Sequence, residues 1–351
     1  MISLRSPLTR WAGRSAVLAA LACAALAPAA HAASTTLSTE QAVGPVAAWN
    51  GTVVWSSFDR AANDYKLVVS KDGGKPTALP VAPSPTPFDV DLGTNRNGST
   101  YAVYTRCEHP GSVKGSIVTR GTGCDIYRLR IATGKEDHLT KLSAPAWDER
   151  DPTIFRGEIA FIRAQKSGGR TYDYLRIGNT TSGSKGTTYL GVKVRVTRFD
   201  SLASPELTWN RIAYVRVSEG IGFSEQDIHV RTLSGSSDKT VYKAKSGGAN
   251  AADVTRPSLT EDLKAFVWAR TNNGSGAGNR LVRYDISSGK LTYALGSSRW
   301  ESTGWANAAL GAAVFVDGSG TGTCFENIND TPDKTQCSVI LTGPLAFNAK
   351  P

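Results

Sequence analysis

Six short apolar bursts recur along the chain at intervals of roughly 50 residues, a period that belongs to stacked repeats rather than to one irregular domain. They are Thr52–Trp55, Tyr101–Tyr104, Ile159–Ile162, Ile212–Val215, Lys264–Val267 and Ala312–Phe315. Each is β-branched or aromatic in character and is bounded by Gly, Asn, Asp or Ser, the pattern of a short strand. A shorter segment precedes each burst, as at Pro152–Phe155 and Pro205–Trp209. A third stretch follows: Tyr65–Val69, Asp125–Ile131, Tyr172–Ile177, Asp227–Val230, Leu281–Ile286 and Ser338–Leu341. Tight turns at Lys71–Gly74, Ala132–Lys135 and Ser287–Lys290 lead to a fourth, each with Gly where positive φ is needed. No long segment shows helical periodicity.

An acid keeps the same register. Asp89, Asp148, Asp200, Asp253 and Glu301 lie 12 or 13 residues before the central residue of bursts two to six, and Phe88, Trp147, Phe199 and Trp300 precede four of them. Gln41 stands at that offset before the first burst. A four-stranded unit cannot bury both of its faces alone. Stacking such units around an axis buries them all, and closing the ring removes the ends. The expectation is an all-β chain folded as a six-bladed β-propeller of four-stranded blades. It occupies a single domain over 33–351, with blades near 40–82, 83–143, 144–193, 194–247, 248–296 and 297–351. A β-sandwich or a two-domain all-β chain is the competing architecture.

The segments Asp148–Ala160 (DERDPTIFRGEIA) and Asp253–Ala265 (DVTRPSLTEDLKA), with the turn Asp285–Lys290, resemble the WD-type repeats of the TolB-like family of six-bladed propellers, which are periplasmic and secreted proteins. The family's Trp-Ser-Pro-Asp-Gly turn is reduced here to Phe155-Arg156-Gly157, Trp209-Asn210 and Thr260-Glu261-Asp262. The resemblance implies a fold and a habit of binding partners, not a specific role.

At the N-terminus, Arg5, Arg10 and Arg14 precede the apolar run Ala16–Ala27, then Pro28 and Ala30-His31-Ala32. This pattern reads as a secretory signal peptide over 1–32, cut after Ala32. The run is too short for a bilayer-spanning helix, which needs roughly 20 apolar residues, and no later segment reads as transmembrane. Ala20-Leu21-Ala22 before Cys23 fits a lipoprotein cleavage site poorly. The expected location is therefore secreted or periplasmic. Removing the signal lowers the formal charge from +10 to 10 − 3 = +7. Outside the cytoplasm, such a balance favours acidic glycans, wall polymers or lipid headgroups over nucleic acid as partners, while a soluble surface that is merely basic is the simpler reading. Four cysteines remain in the exported part, an even count that points to disulfides. The repeat selects Cys107–Cys124 and Cys324–Cys337, each closing the second-to-third connection of its own unit. Zinc, the competing reading, lacks CxxC spacing and nearby histidines.

In a propeller the fourth-to-first and second-to-third connections share one face, here called upper. The second-to-third connections read as long loops: 56–64, 106–124, 164–170, 218–226, 270–279 and 317–337. Insertions on one face of a repeat array mark its binding face, although pinned loops can also serve only to resist proteolysis. The candidate ligand-binding residues are Trp147, Asp148, Arg150, Arg198, Asp200, Asp253, Arg256, Arg299, Trp300 and Glu301, at the upper entries to first strands. The competing view is structural, with each acid taking backbone N–H groups of its own blade and a neighbouring Arg. No catalytic motif stands out. There is no GxSxG, and His109, His138 and His229 fall on different units. No Gly-rich phosphate cradle occurs. Asn327, Asn329, Asp330 and Asp333 form an oxygen-rich run without EF-hand spacing, so no metal and no cofactor is expected. The functional expectation is a monomeric, non-enzymatic binding or scaffold protein engaging a protein or cell-envelope glycan. The alternative is a carbohydrate-active enzyme (glycosidase or lyase) using axial carboxylates such as Asp89, Asp91, Asp148, Glu149, Asp200, Glu206, Asp253 and Glu301.

Overall fold

The computed structural model describes residues 34–40, 43–114, 117–118, 121–180, 186–197, 200–220, 223–244, 257–260, 264–272, 277–294, 307–309, 312–317, 337–344 and 347–348. The expected signal peptide lies outside them. Every regular element among these residues is a β-strand, and every pairing is antiparallel.

Four sheets each keep their four strands in chain order, and these are blades one to four. Blade one comprises Val43–Trp49, Thr52–Asp59, Asp64–Lys71 and Thr77–Ala78. Blade two comprises Asp91–Thr94, Thr100–His109, Thr122–Arg130 and Lys135–His138. Blade three comprises Asp148–Phe155, Glu158–Ser167, Arg170–Asn179 and Thr187–Arg195. Blade four comprises Ser201–Thr208, Arg211–Gly220, Phe223–Thr232 and Asp238–Ala244. A fifth sheet orders Ser258–Leu259, Lys264–Asn272, Ala277–Asp285 and Leu291–Ala294, with Phe347–Asn348 added outside. The last sheet orders Asn307–Ala309, Ala312–Asp317 and Cys337–Pro344, and its outer strand is Ser34–Glu40 from the other end of the chain. All six apolar bursts lie in second strands, as the repeat required.

Apolar clusters sit between successive sheets, which is how a propeller buries both faces of each blade. Val54, Leu67, Leu92 and Tyr104 join blades one and two, and Val103, Ile126, Ile154 and Phe161 join two and three. Ile162, Leu175, Leu202 and Tyr214 join three and four, and Val215, Ile228, Leu259 and Val282 join four and five. Leu37 and Val339 of the last sheet pack on Val46 and Trp55 of blade one. The first strands touch their neighbours in chain order, and Asn307–Ala309 returns to Val43–Trp49. Glu40 fastens this junction, accepting from Ser38 Oγ at 2.6 Å, Trp55 Nε1 at 3.0 Å and Ser57 Oγ at 2.6 Å.

The first strands of blades one, three and four carry bulges at one place, 43–46, 150–153 and 203–206. Each bulge holds an X-Pro pair, and Asp151 and Ser204 adopt φ of +50° and +46° before their prolines. Proline donates nothing to the ladder, so the strand steps around it there.

One expectation is corrected. The connection 164–170 is not a loop: the second and third strands of blade three continue as a hairpin to a two-residue turn, Gly168-Gly169, and 218–226 is likewise mostly paired. In blade one, 56–64 shortens to a turn after Asp59. The blade-three arm is polar and exposed, so no apolar alternation marks it as strand. Blade two keeps a long connection, which carries its own short ribbon, Val113–Lys114 against Ile117–Val118.

Candidate functional site

The upper entry to blade three gathers the best-defined candidates. Cys107 and Cys124 face each other across the second and third strands of blade two and are disulfide-bonded. The N–H of Cys124 donates to Asp148 Oδ1 at 3.2 Å, so the pinned arm leans on the neighbouring entry. Trp147, just before it, lies beneath the Arg163 guanidinium at 5.1 Å.

Arg163 was invisible as a site residue in the sequence because it looks like one polar position in an apolar strand. It is buried, donating Nε to Glu149 Oε1 at 2.6 Å, Nη2 to the Leu142 carbonyl at 2.6 Å and Nη1 to Thr187 Oγ1 at 3.2 Å. Glu149 also accepts the N–H of Ala144 at 3.3 Å. Burial pushes the Glu149 carboxyl up to about 7, against the opposing pull of Arg163.

Two of the recurring acids, Asp89 and Asp148, bind backbone. Asp89 accepts the N–H of Thr105 in its own blade and the N–H of Asp151 in the next, both at 2.7 Å, together with the Thr105 hydroxyl. Burial and the Asp151 charge raise its pKa. Asp151 in turn accepts the N–H of Ser204 in blade four at 3.2 Å. Further down, Asp91 accepts the N–H of Ile154 at 3.0 Å, and Thr153 accepts the N–H of Leu207 at 3.3 Å while donating to Glu206 at 3.4 Å. A side-chain-to-backbone ladder therefore stitches the first strands of blades two, three and four. Own-blade arginine partners, expected in the structural view, give way to N–H donors across blade boundaries, because the bulges turn those N–H groups out of their own ladders.

Arg150 is a brace between blades three and four. Its Nη2 donates to Asp173 Oδ2 at 2.6 Å and the Leu202 carbonyl at 2.9 Å, and Leu202 N–H returns to Asp173 at 2.9 Å. Asp200 sits in a surface turn, accepting from Thr197 Oγ1 at 3.0 Å. Arg198, Asp253, Arg256, Arg299, Trp300 and Glu301 lie outside the described residues, as do Cys324 and the run Asn327–Asp333. The Cys324–Cys337 pairing is thus not described. His138 pairs with Asp125 and stacks on Tyr127, and His229 pairs with Asp238, so both serve their own blades. Among the described residues no group of three or more His, Cys, Asp or Glu side chains could hold a metal ion, and no helix is long and apolar enough to cross a membrane. At the lower end, Trp49, Phe155 and Trp209 from blades one, three and four meet edge to face, with Arg156 over Trp209 at 3.8 Å.

No family model matches the chain, and no curated protein matches it in sequence. Solved structures share its fold. An oligogalacturonate lyase in complex with manganese is 10% identical with a TM-score of 0.52, over 90% of this chain and 94% of that one. A protein of unknown function from Dyadobacter fermentans is 13% identical with a TM-score of 0.52, over 89% of this chain and 98% of that one. TolB from Acinetobacter baumannii is 14% identical with a TM-score of 0.46, over 85% of this chain, which spans 65% of that protein's length. The class defined by fold and comparison is an all-β propeller with four-stranded blades, and the likeness goes no further than the fold.

Proposed function

We propose that the chain is an exported, non-enzymatic binding or scaffold protein, a six-bladed propeller whose upper face engages a protein or a cell-envelope glycan. Six sheets with first strands in a closed cycle support the blade count. The disulfide fits an oxidising compartment. The observation that carries the binding reading is the fate of the axial acids. Asp89, Asp148 and Asp151 each give a carboxylate oxygen to a backbone N–H of a neighbouring blade. A glycosidase needs two carboxylates free to meet substrate, and these are holding the ring together. Among the described residues, the rim offers Trp147 and the disulfide-pinned arm of blade two to a ligand.

A glycan-array measurement on the purified protein, with mass-spectrometric analysis of any bound glycan, tests this, alongside a pull-down from an envelope fraction. Binding without turnover, weakened tenfold or more by Trp147→Ala in a variant with unchanged melting, supports the upper-face site. Release of cleaved product would overturn the non-enzymatic reading and return attention to the axial acids.

A further inference from the structure

The outer half of blade three carries a second surface with a different chemistry. Its third and fourth strands pair Tyr172 with Arg195, Tyr174 with Lys193 and, past a bulge, Arg176 with Tyr189, and directly opposed residues share a face. The rings form a row, Tyr172 to Tyr174 at 6.4 Å and Tyr174 to Tyr189 at 5.6 Å between centroids. The cations lie over the rings instead of beside carboxylates. Lys193 Nζ is 4.1 Å from the Tyr172 ring and 5.2 Å from that of Tyr174, and the Arg176 guanidinium is 5.7 and 5.6 Å from Tyr174 and Tyr189.

Charge on these two strands is one-sided. They contain one carboxylate, Asp173, which is fully buried on the opposite face, where it holds Arg150 against blade four. Arg176 Nε is buried without a hydrogen-bond partner, and both burial and the nearby Arg163 make its charge harder to hold. Tyr189, Lys193 and Arg195 are exposed. Leu142 packs on Gly178, further along the same strand.

We propose that this face binds an acidic polysaccharide, with sugar rings laid on Tyr172, Tyr174 and Tyr189 and carboxylates paired with Arg176, Lys193 and Arg195. Tyrosine rings offer flat apolar platforms with a polar edge. Spaced about one sugar unit apart, they suit a chain of pyranoses better than a point anion. No carboxylate of these two strands faces the cations, and a uronic acid seated against the rings would bring one to them. The choice of a glycan over a nucleic acid rests on the exported location proposed above. The face adjoins the upper entry, because Arg163, which lies over Trp147, stands directly opposite Tyr174.

The test is binding of immobilised alginate by biolayer interferometry, with dextran and a short DNA duplex as comparators and the full chain as analyte. The expected result is saturable alginate binding, no dextran binding, and a loss of tenfold or more in Tyr189→Ala and in Lys193→Glu, while Lys75→Glu on blade one, the same charge change at another exposed lysine, binds alginate as the parent does. Tyr189 and Lys193 are exposed, so melting curves of both variants should match the parent. Absence of alginate binding overturns the proposal. So does equal binding by Tyr189→Ala, which reduces the face to a bare patch of positive charge, and so does DNA binding as tight as that of alginate, which removes the preference for a glycan. Loss through Trp147→Ala alone would instead place the glycan on the upper rim.

Discussion

Replacing Gly93 with alanine tests the close approach on which the ring of first strands depends. Gly93 lies in the first strand of blade two with ordinary negative φ, so alanine meets no backbone strain there. A Cβ at this position would sit 2.0 Å from the carbonyl oxygen of Ile154 in blade three and 3.0 Å from its carbonyl carbon and Cγ2. Ordinary contact begins at 3.4 Å, so the two strands must part by 3.4 − 2.0 = 1.4 Å. That movement also breaks the 3.0 Å bond from Ile154 N–H to Asp91. Overpacking costs about 1–3 kcal/mol, and the lost buried bond adds about 1 kcal/mol. With no flexible side chain to absorb the clash, the expected loss is about 2–4 kcal/mol, or on the order of 10 °C in melting temperature. Urea unfolding followed by tryptophan fluorescence measures it. Gly98→Ala is the control. Nothing lies within 4 Å of a Cβ there, and its φ of +82° leaves only a left-handed penalty of about 1–2 kcal/mol. A Gly93→Ala protein within about 0.5 kcal/mol of the parent, the range of neutral surface changes, would refute the packing of blades two and three.

Three further outcomes are expected. Converting Cys107 and Cys124 together to serine opens a loop of sequence separation 17, which should cost about 3 kcal/mol in the chain-entropy model and expose 108–123 to limited proteolysis, seen by mass spectrometry. Glu149, with its pKa raised from 4.5 to about 7, favours the folded state when protonated. Its contribution is complete below its unfolded pKa and fades as pH rises through about 7, by roughly 3 kcal/mol in all. Unfolding at several pH values should show this slope in the parent and lose it in Glu149→Gln, whatever that variant's absolute stability. Glu40→Ala removes the acceptor of the buried Trp55 indole and of Ser57. A loss of about 2–4 kcal/mol, with a shifted indole emission before unfolding, would show that the N-terminal strand fastens the last sheet to blade one.

Strand formation is a local matter, and the sequence decided most of it. Bursts such as Ile159–Ile162 declare second strands because β-branched and aromatic residues buried on both faces read the same from any single window. Asp72-Gly73 and Gly134 marked their turns because positive φ excludes most side chains. Even Cys107–Cys124 was legible, since the repeat placed both residues at the ends of adjoining strands. The hairpin arm 164–170 was not, because a strand exposed on both faces has no apolar alternation to display.

What only the tertiary structure decided involves partners far apart in the chain. The acids Asp89 and Asp148 were visible by register, but the choice between own-blade and cross-blade donors depends on how bulges at Asp151 and Ser204 aim their N–H groups between sheets. The outer strand of the last sheet, Ser34–Glu40, pairs with Cys337–Pro344. No local pattern in either segment names the other, because backbone hydrogen bonds are blind to side-chain identity. The row of Tyr172, Tyr174 and Tyr189 with Arg176 and Lys193 exists only once two strands align in a register set partly by a bulge. Local chemistry chose the elements, and the closing of sheets around a common axis chose which of their side chains meet.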